Sequence, residues 1–163
     1  MSEILDTKLF HIRLDVKDRD ELFETMASGL VDSGRVKPSF LRGLMDREEI
    51  FPTGLPISGG VAIPHTDAEH VLLDSISVAT LIHPVGFREM AGMDDTELPV
   101  DVVMMLALAD SGSHLDVLQQ VLGWVRDGEF IDRLRGCLDE EEAFTLLALS
   151  LIHISEPTRP ERI

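Results

Sequence analysis

Apolar and polar residues follow one another along the chain in two kinds of pattern. In the first, apolar residues alternate with polar ones or form a short continuous run, which is typical of β-strands. This pattern predicts strands over residues 9–14, 75–83 and 100–107, and a short buried strand over residues 61–63. In the second, apolar residues recur every three or four positions, which is typical of amphipathic helices. It predicts helices over residues 18–32, 38–49, 113–126, 129–135 and 139–147.

The order of these elements separates two architectures. Two helices follow the first strand before any other strand, so a strict alternation of strand and helix is absent. We therefore predict an α/β fold with a mixed sheet flanked by helices, not a doubly wound parallel sheet. Residues 84–99 are predicted to be irregular, with a short edge strand near Phe87. Ser113 is predicted to cap the helix that begins there.

The composition of the chain limits the cellular compartments and the classes of binding partner that we expect for it. The chain has 163 residues, which suits one domain, and no apolar run approaches the roughly 20 residues that a membrane-spanning helix needs. The formal net charge of −16 argues against a nucleic-acid partner and favours a protein partner with a basic surface. The single cysteine, Cys137, cannot form an internal disulfide, which fits a reducing compartment. We expect a cytoplasmic protein without direct membrane insertion.

The C-terminal segment, residues 149–163, differs in character from the rest of the chain. The stretch Leu149–Arg159 resembles a translated sequencing adapter of the transposase mosaic-end type. On this interpretation residues 1–148 are the native domain, and residues 149–163 are a non-native, adapter-derived tail that packs poorly. The alternative is a native, partly apolar tail that contains two prolines.

The segment Ser58–His65 carries the most distinctive chemistry of the sequence. Gly59 and Gly60 allow backbone angles and close approaches that other residues resist. Pro64 has no amide hydrogen and cannot extend a strand ladder, so His65 is expected to leave the sheet in a fixed direction. A histidine held there is well placed to act as a nucleophile or a ligand. The alternative is a histidine that only fills a turn.

Two motifs in this region carry a family resemblance. Phe51–Leu55, followed by Val61–His65, resembles the enzyme IIA component of the phosphoenolpyruvate-dependent sugar phosphotransferase system, of the mannitol/fructose type. Residues 47–49 before the loop and residues 114–118 at a helix start fall in the family's order and spacing. The resemblance covers residues 5–147 and implies a mixed sheet of about five strands with helices on both faces. Pro-Thr-Gly-Leu and Pro-His-Thr-Asp are most similar to the galactitol-type branch.

The resemblance implies a phosphocarrier, which is a phosphotransferase without a cofactor. His65 would accept a phosphoryl group from the phosphohistidine of HPr and pass it to a cysteine of a IIB component. A IIC membrane component would then move a galactitol-like sugar. Attack on phosphorus requires a neutral imidazole whose other nitrogen is protonated and held by an acceptor, a role that backbone carbonyls beside the turn can fill. No Gly-x-x-x-x-Gly-Lys-Ser/Thr motif is present, so ATP is not the expected donor.

The resemblance also implies roles for residues around His65. The family places a second histidine at the position of His114, where it donates a hydrogen bond to the phosphoryl group. Arg47 matches an arginine that would compensate the added negative charge, although an arginine at a helix end can instead only stabilise the helix dipole. Thr53 and Thr66 are expected to add hydroxyl donors.

Two other functions stay open at this point. Regulatory IIA-like domains, of the nitrogen-related type or within transcriptional regulators, share the fold, and their phosphorylation state biases a bound partner. His65, Asp67 and His70 are also metal-ligand types, so a metal-dependent enzyme is a third hypothesis. Their offsets of two and five residues differ from the spacing of four that a helical metal site uses.

Overall fold

The computed structural model of the chain describes residues 4–92, 96–109 and 111–155, with the side chains of residues 111–114 and 152–155 left out of the description. Within these residues the strands are β1 (Phe10–Leu14), β2 (Gly54–Leu55), β3 (Val61–Ala62), β4 (Ser75–Arg88) and β5 (Glu97–Ala107). The helices are α1 (Arg19–Asp32), α2 (Phe40–Ile50), α3 (Ser111–Arg126), α4 (Gly128–Arg135) and α5 (Glu140–Ser155).

The strands form one five-stranded mixed sheet in the order β1-β4-β5-β3-β2. β1 runs parallel to β4, and β3 runs parallel to β5. β4 and β5 are antiparallel, as are β2 and β3. The prediction of a mixed sheet of about five strands, rather than a doubly wound parallel sheet, is confirmed.

Each face of the sheet is covered by helices, so the chain buries two apolar layers. The alternation along β5 shows this, because Val102, Met104 and Leu106 pack on one face. Val103 and Met105 pack on the other. The first layer is closed by α3, α4 and α5, and the second by α1 and α2. A strand that is buried on both faces has a nearly continuous run of apolar residues in its sequence. Such a run is what predicts β5.

The second half of β4 corrects the prediction for residues 84–99. β4 continues past Pro84 and pairs with β5 as far as Arg88, so this region is a long antiparallel ladder, not an irregular segment. Phe87 is fully buried and pairs with Leu98, so it does not lie in a short edge strand. A register shift between Thr80 and Val85 accommodates the proline, which local sequence patterns read as the end of the strand.

Two helix boundaries also differ from the predicted ones. α3 begins at Ser111, so Ser113 lies inside the helix and is not its cap. α5 extends beyond residue 147 to Ser155. Within this extension the indole Nε1–H of Trp124 donates to Ser150 Oγ at 2.9 Å, and Leu151 packs against the first apolar layer. The first residues of the segment interpreted as an adapter-derived tail are therefore packed, and residues 156–163 lie outside the described residues.

Candidate functional site

His65 lies at the carboxyl end of β3, where the chain leaves the sheet. The Pro64 carbonyl accepts a hydrogen bond from the Leu106 amide at 2.9 Å, and His65 makes a parallel bridge to Leu106. The backbone at Pro64 and His65 therefore still pairs with β5, although the regular strand β3 has already ended at Ala62. Gly59 and Gly60 have φ values of 84° and 105°, as predicted from their lack of a side chain. The imidazole is half-buried.

The orientation of the His65 ring follows from one short hydrogen bond. Its Nδ1 lies 2.9 Å from the carbonyl oxygen of Ile63. A carbonyl oxygen can only accept, so Nδ1 carries the hydrogen and donates it. In a neutral imidazole the lone pair in the ring plane then belongs to Nε2. The ring is therefore held in the tautomer that makes Nε2 the nucleophilic nitrogen.

Arg47 supplies a positive charge to the same region. It lies in the last turn of α2, and its Nη1 donates to Oδ1 of Asp67 at 3.1 Å. Its guanidinium carbon lies 5.0 Å from the centroid of the Phe51 ring. The structure thus ties Arg47 to the segment that follows His65, since Asp67 is two residues further along the chain. Phe51 is 58% exposed, so this cation–π contact lies at the surface.

His114 belongs to α3, which begins four residues after the end of β5. The bridge between His65 and Leu106 places the end of β5 beside His65. The side chain of His114 lies outside the described residues, so its contact with a phosphoryl group stays a prediction.

The three candidate metal ligands, His65, Asp67 and His70, each interact with a different partner. His70 shares a hydrogen bond of 2.8 Å with Ser39 Oγ through Nδ1, and its Nε2 lies 3.4 Å from a carboxylate oxygen of Glu69. Asp67 is paired with the guanidinium of α2. Among the described residues, no group of three or more His, Cys, Asp or Glu side chains is placed to hold a metal ion.

Glu48 is a residue of the site region whose burial the sequence does not predict. It is 4% exposed, and its Oε2 accepts the Thr53 amide at 2.9 Å. Its Oε1 accepts the Thr53 hydroxyl, also at 2.9 Å. The expectation that Thr53 offers its hydroxyl to a phosphoryl group is therefore wrong, because that hydroxyl is buried and donates inward. The sequence signals are the motif of residues 47–49 and a threonine five residues after the glutamate, and neither reveals burial.

Cys137 is buried in the first apolar layer. Burial raises the pKa of its thiol, and the nearby Glu142 and Asp139 raise it further. The thiolate is the nucleophilic form of cysteine, so these surroundings disfavour nucleophilic chemistry at Cys137.

Gly43 of α2 packs against the segment that follows His65. A Cβ on Gly43 would lie 2.8 Å from His70 Nε2 and 3.0 Å from Thr66 Oγ1. We expect Gly43→Ala to lower the free energy of unfolding by about 1 kcal/mol, because overcrowding outweighs the better helix propensity of alanine. Urea unfolding measures this change.

Gly123 of α3 provides the matched control, because a Cβ there would meet nothing within 4 Å. Gly123→Ala is expected to raise the free energy of unfolding by about 0.5–1 kcal/mol. Equal stabilisation by both substitutions would contradict the close packing at Gly43.

The amino-acid sequence of this chain is similar to those of known proteins. A family model described as "Phosphoenolpyruvate-dependent sugar phosphotransferase system, EIIA 2" matches residues 3–149. The "Ascorbate-specific PTS system EIIA component" of Escherichia coli strain K12 is 28% identical over 146 residues, which cover 88% of this chain and 92% of that protein. The "Mannitol-specific phosphotransferase enzyme IIA component" of Staphylococcus aureus strain Mu50 is 29% identical over 143 residues, which cover 87% of this chain and 93% of that protein.

The fold also matches solved structures. The complex of enzyme IIAMTL and phosphorylated enzyme IIBMTL from Escherichia coli contains a chain that superposes with a TM-score of 0.71 at 22% identity. The match covers 88% of this chain and 96% of that chain. At this level of identity the likeness concerns the fold.

Proposed function

Because the chain belongs to the phosphoenolpyruvate-dependent sugar phosphotransferase system EIIA 2 family, we propose that His65 is the residue that carries its phosphoryl group. Proteins of this family are phosphotransferases that relay phosphoryl groups through a histidine. The observation that carries the assignment to His65 is the hydrogen bond from its Nδ1 to the Ile63 carbonyl. This bond leaves the lone pair on Nε2 of a half-buried ring at the end of β3.

The proposed transfer needs no acid or base at Nε2. The Nε2 lone pair attacks the phosphorus of a donor phosphohistidine, and an Nε2–P bond forms as the donor N–P bond breaks. The electron pair of the broken bond stays on the donor nitrogen. In the second step a cysteine thiolate attacks the same phosphorus, an S–P bond forms, and the electron pair of the Nε2–P bond returns to His65. Catalysis then consists mainly of positioning and charge stabilisation.

Arg47 is the proposed source of charge compensation. Its ion pair with Asp67 keeps the guanidinium beside the segment that contains His65. A phosphoryl group adds negative charge to a chain whose formal net charge is already −16, so a nearby cation favours the phosphorylated form. His114 is the proposed second donor.

The proposed donor is HPr and the proposed acceptor is a cysteine of a IIB component, with a IIC membrane component acting indirectly. The solved complex of enzyme IIAMTL with phosphorylated enzyme IIBMTL supports a IIB component as the acceptor, since its IIA chain has the same fold as this chain. We place the relay in the cytoplasm. The sugar is proposed to be galactitol-like because of the Pro-Thr-Gly-Leu and Pro-His-Thr-Asp motifs, whereas the two curated relatives above are described as ascorbate- and mannitol-specific.

Incubation of the purified protein with enzyme I, HPr and labelled phosphoenolpyruvate tests this proposal. We expect an acid-labile label that mass spectrometry assigns to the peptide containing His65. Addition of IIB components of the galactitol, mannitol and ascorbate types should then move the label to the cognate IIB cysteine. Labelled protein that no IIB component discharges would favour the regulatory alternative, and a label elsewhere would contradict the role of His65.

A further inference from the structure

We propose that Glu48 is a positioning residue for His65, acting through Thr53 and Ile63 on the carbonyl group that holds the imidazole. The inference rests on the proposed function of His65. It adds a residue that does not touch the reacting atoms and to which the motif of residues 47–49 gives no role.

A continuous path of hydrogen bonds connects the two side chains. The Glu48 carboxylate accepts both the amide and the hydroxyl of Thr53. The Thr53 carbonyl accepts the Ile63 amide at 3.3 Å. The Ile63 carbonyl accepts Nδ1–H of His65 at 2.9 Å. The position of the Ile63 peptide, and with it the imidazole, therefore depends on where Glu48 holds Thr53.

The chemistry of Glu48 suits this role. Thr53 presents two donors in a buried position, and a carboxylate offers two acceptor oxygens in one plane. Bonds to an ionised carboxylate are charge-assisted, which makes them stronger and more restrictive than bonds between neutral groups. Because Glu48 lies on α2 next to Arg47, the same turn of helix fixes the proposed nucleophile and carries the proposed cation.

The pKa of the Glu48 carboxyl reflects its buried position. Burial raises the pKa of its carboxyl, and the hydrogen bonds from Thr53 lower it by less. Arg19 and Arg88 also lower it. A folded-state pKa above the unfolded value means that the contribution of this carboxyl to stability is full below the unfolded pKa. That contribution is lost as the pH rises through the folded pKa.

Two substitutions each remove part of the contact between Glu48 and Thr53, and each has a matched control. Glu48→Gln keeps the shape but loses one acceptor and the charge, and Glu49→Gln makes the same change at an exposed neighbour. Thr53→Val removes the hydroxyl, and Thr53→Ser restores it. The measurements are the rate of phosphoryl transfer from phospho-HPr and the ¹⁵N resonances of the His65 ring, which report the tautomer. Thermal melts report stability.

We expect Glu48→Gln and Thr53→Val to slow transfer on the order of 10- to 100-fold, because small displacements of a reacting group carry large rate penalties. The two ring ¹⁵N resonances should move towards each other as the Nδ1–H tautomer loses population. Thr53→Ser should recover most of the rate lost in Thr53→Val, and Glu49→Gln should retain the wild-type rate and resonances. If Glu48→Gln does not fold, the Thr53 pair decides the same question.

The outcomes separate this inference from the proposed function. A labelled wild type whose rate and ring resonances are unchanged in Glu48→Gln and Thr53→Val would overturn the positioning role and leave the proposed function intact. A lowered melting temperature with unchanged resonances would mark a structural role and also overturn it. A wild type that takes no label would remove the proposed function, and the ring resonances alone would then decide whether Glu48 sets the tautomer.

Discussion

Alanine in place of His65 is expected to leave the protein folded and to abolish its phosphorylation by phospho-HPr. The substitution removes the nitrogen that forms the bond to phosphorus, and the proposed relay gives this role to no other residue. The fold should persist because the ring is half-buried and its Nδ1 bond to Ile63 is local. Loss of such a bond costs about 1 kcal/mol.

The measurement is acid-labile label after incubation with enzyme I, HPr and labelled phosphoenolpyruvate, alongside circular dichroism melts. His83→Ala is a suitable control, since His83 is exposed on β4 and takes no part in the proposed relay. His83→Ala should be labelled like the wild type. Acid-labile label on folded His65→Ala protein would show that another residue carries the phosphoryl group.

Local patterns predict most of the fold, and they fail where pairing with a distant strand decides the outcome. The run at residues 100–107 predicts β5 because a strand buried on both faces leaves few alternatives. The second half of β4 is not predicted, since Pro84 and the exposed His83 interrupt the apolar pattern. Residues 85–88 are nonetheless in a strand because residues 97–100 of β5 provide their partners. Such a cause is not visible in a short window of sequence.

The candidate site likewise has features that the local sequence predicts and contacts that only the fold determines. The left-handed backbone of Gly59 and Gly60 and the strand end at Pro64 depend on those residues themselves, so sequence predicts them. The partners of charged side chains depend on the fold. Arg47 pairs with Asp67, twenty residues away. Glu48 is buried and accepts two hydrogen bonds from Thr53 in the loop that follows α2, whereas an acidic residue at a polar helix end is ordinarily exposed.

Among the glycine substitutions considered, Gly60→Ala is expected to cause the largest decrease in the free energy of unfolding. Its φ of 105° is a conformation that residues with a side chain rarely adopt, which costs about 1–3 kcal/mol. A Cβ would also lie 2.2 Å from the carbonyl oxygen of Pro99, a backbone atom of β5. Separating β3 from β5 to relieve this contact costs about another 1–3 kcal/mol. The sum of roughly 2–6 kcal/mol is a large part of the 5–15 kcal/mol that stabilises a typical domain.

Gly34→Ala isolates the backbone part of this cost. Gly34 has a φ of 72°, and a Cβ there would meet nothing within 4 Å, so only the strain of about 1–2 kcal/mol remains. Urea unfolding of the two variants should therefore give a clearly lower midpoint for Gly60→Ala. Equal midpoints would mean that β3 and β5 are not in close contact at Pro99. Because His65 follows β3 by three residues, a real separation of the strands should also slow phosphorylation in Gly60→Ala and leave it unchanged in Gly34→Ala.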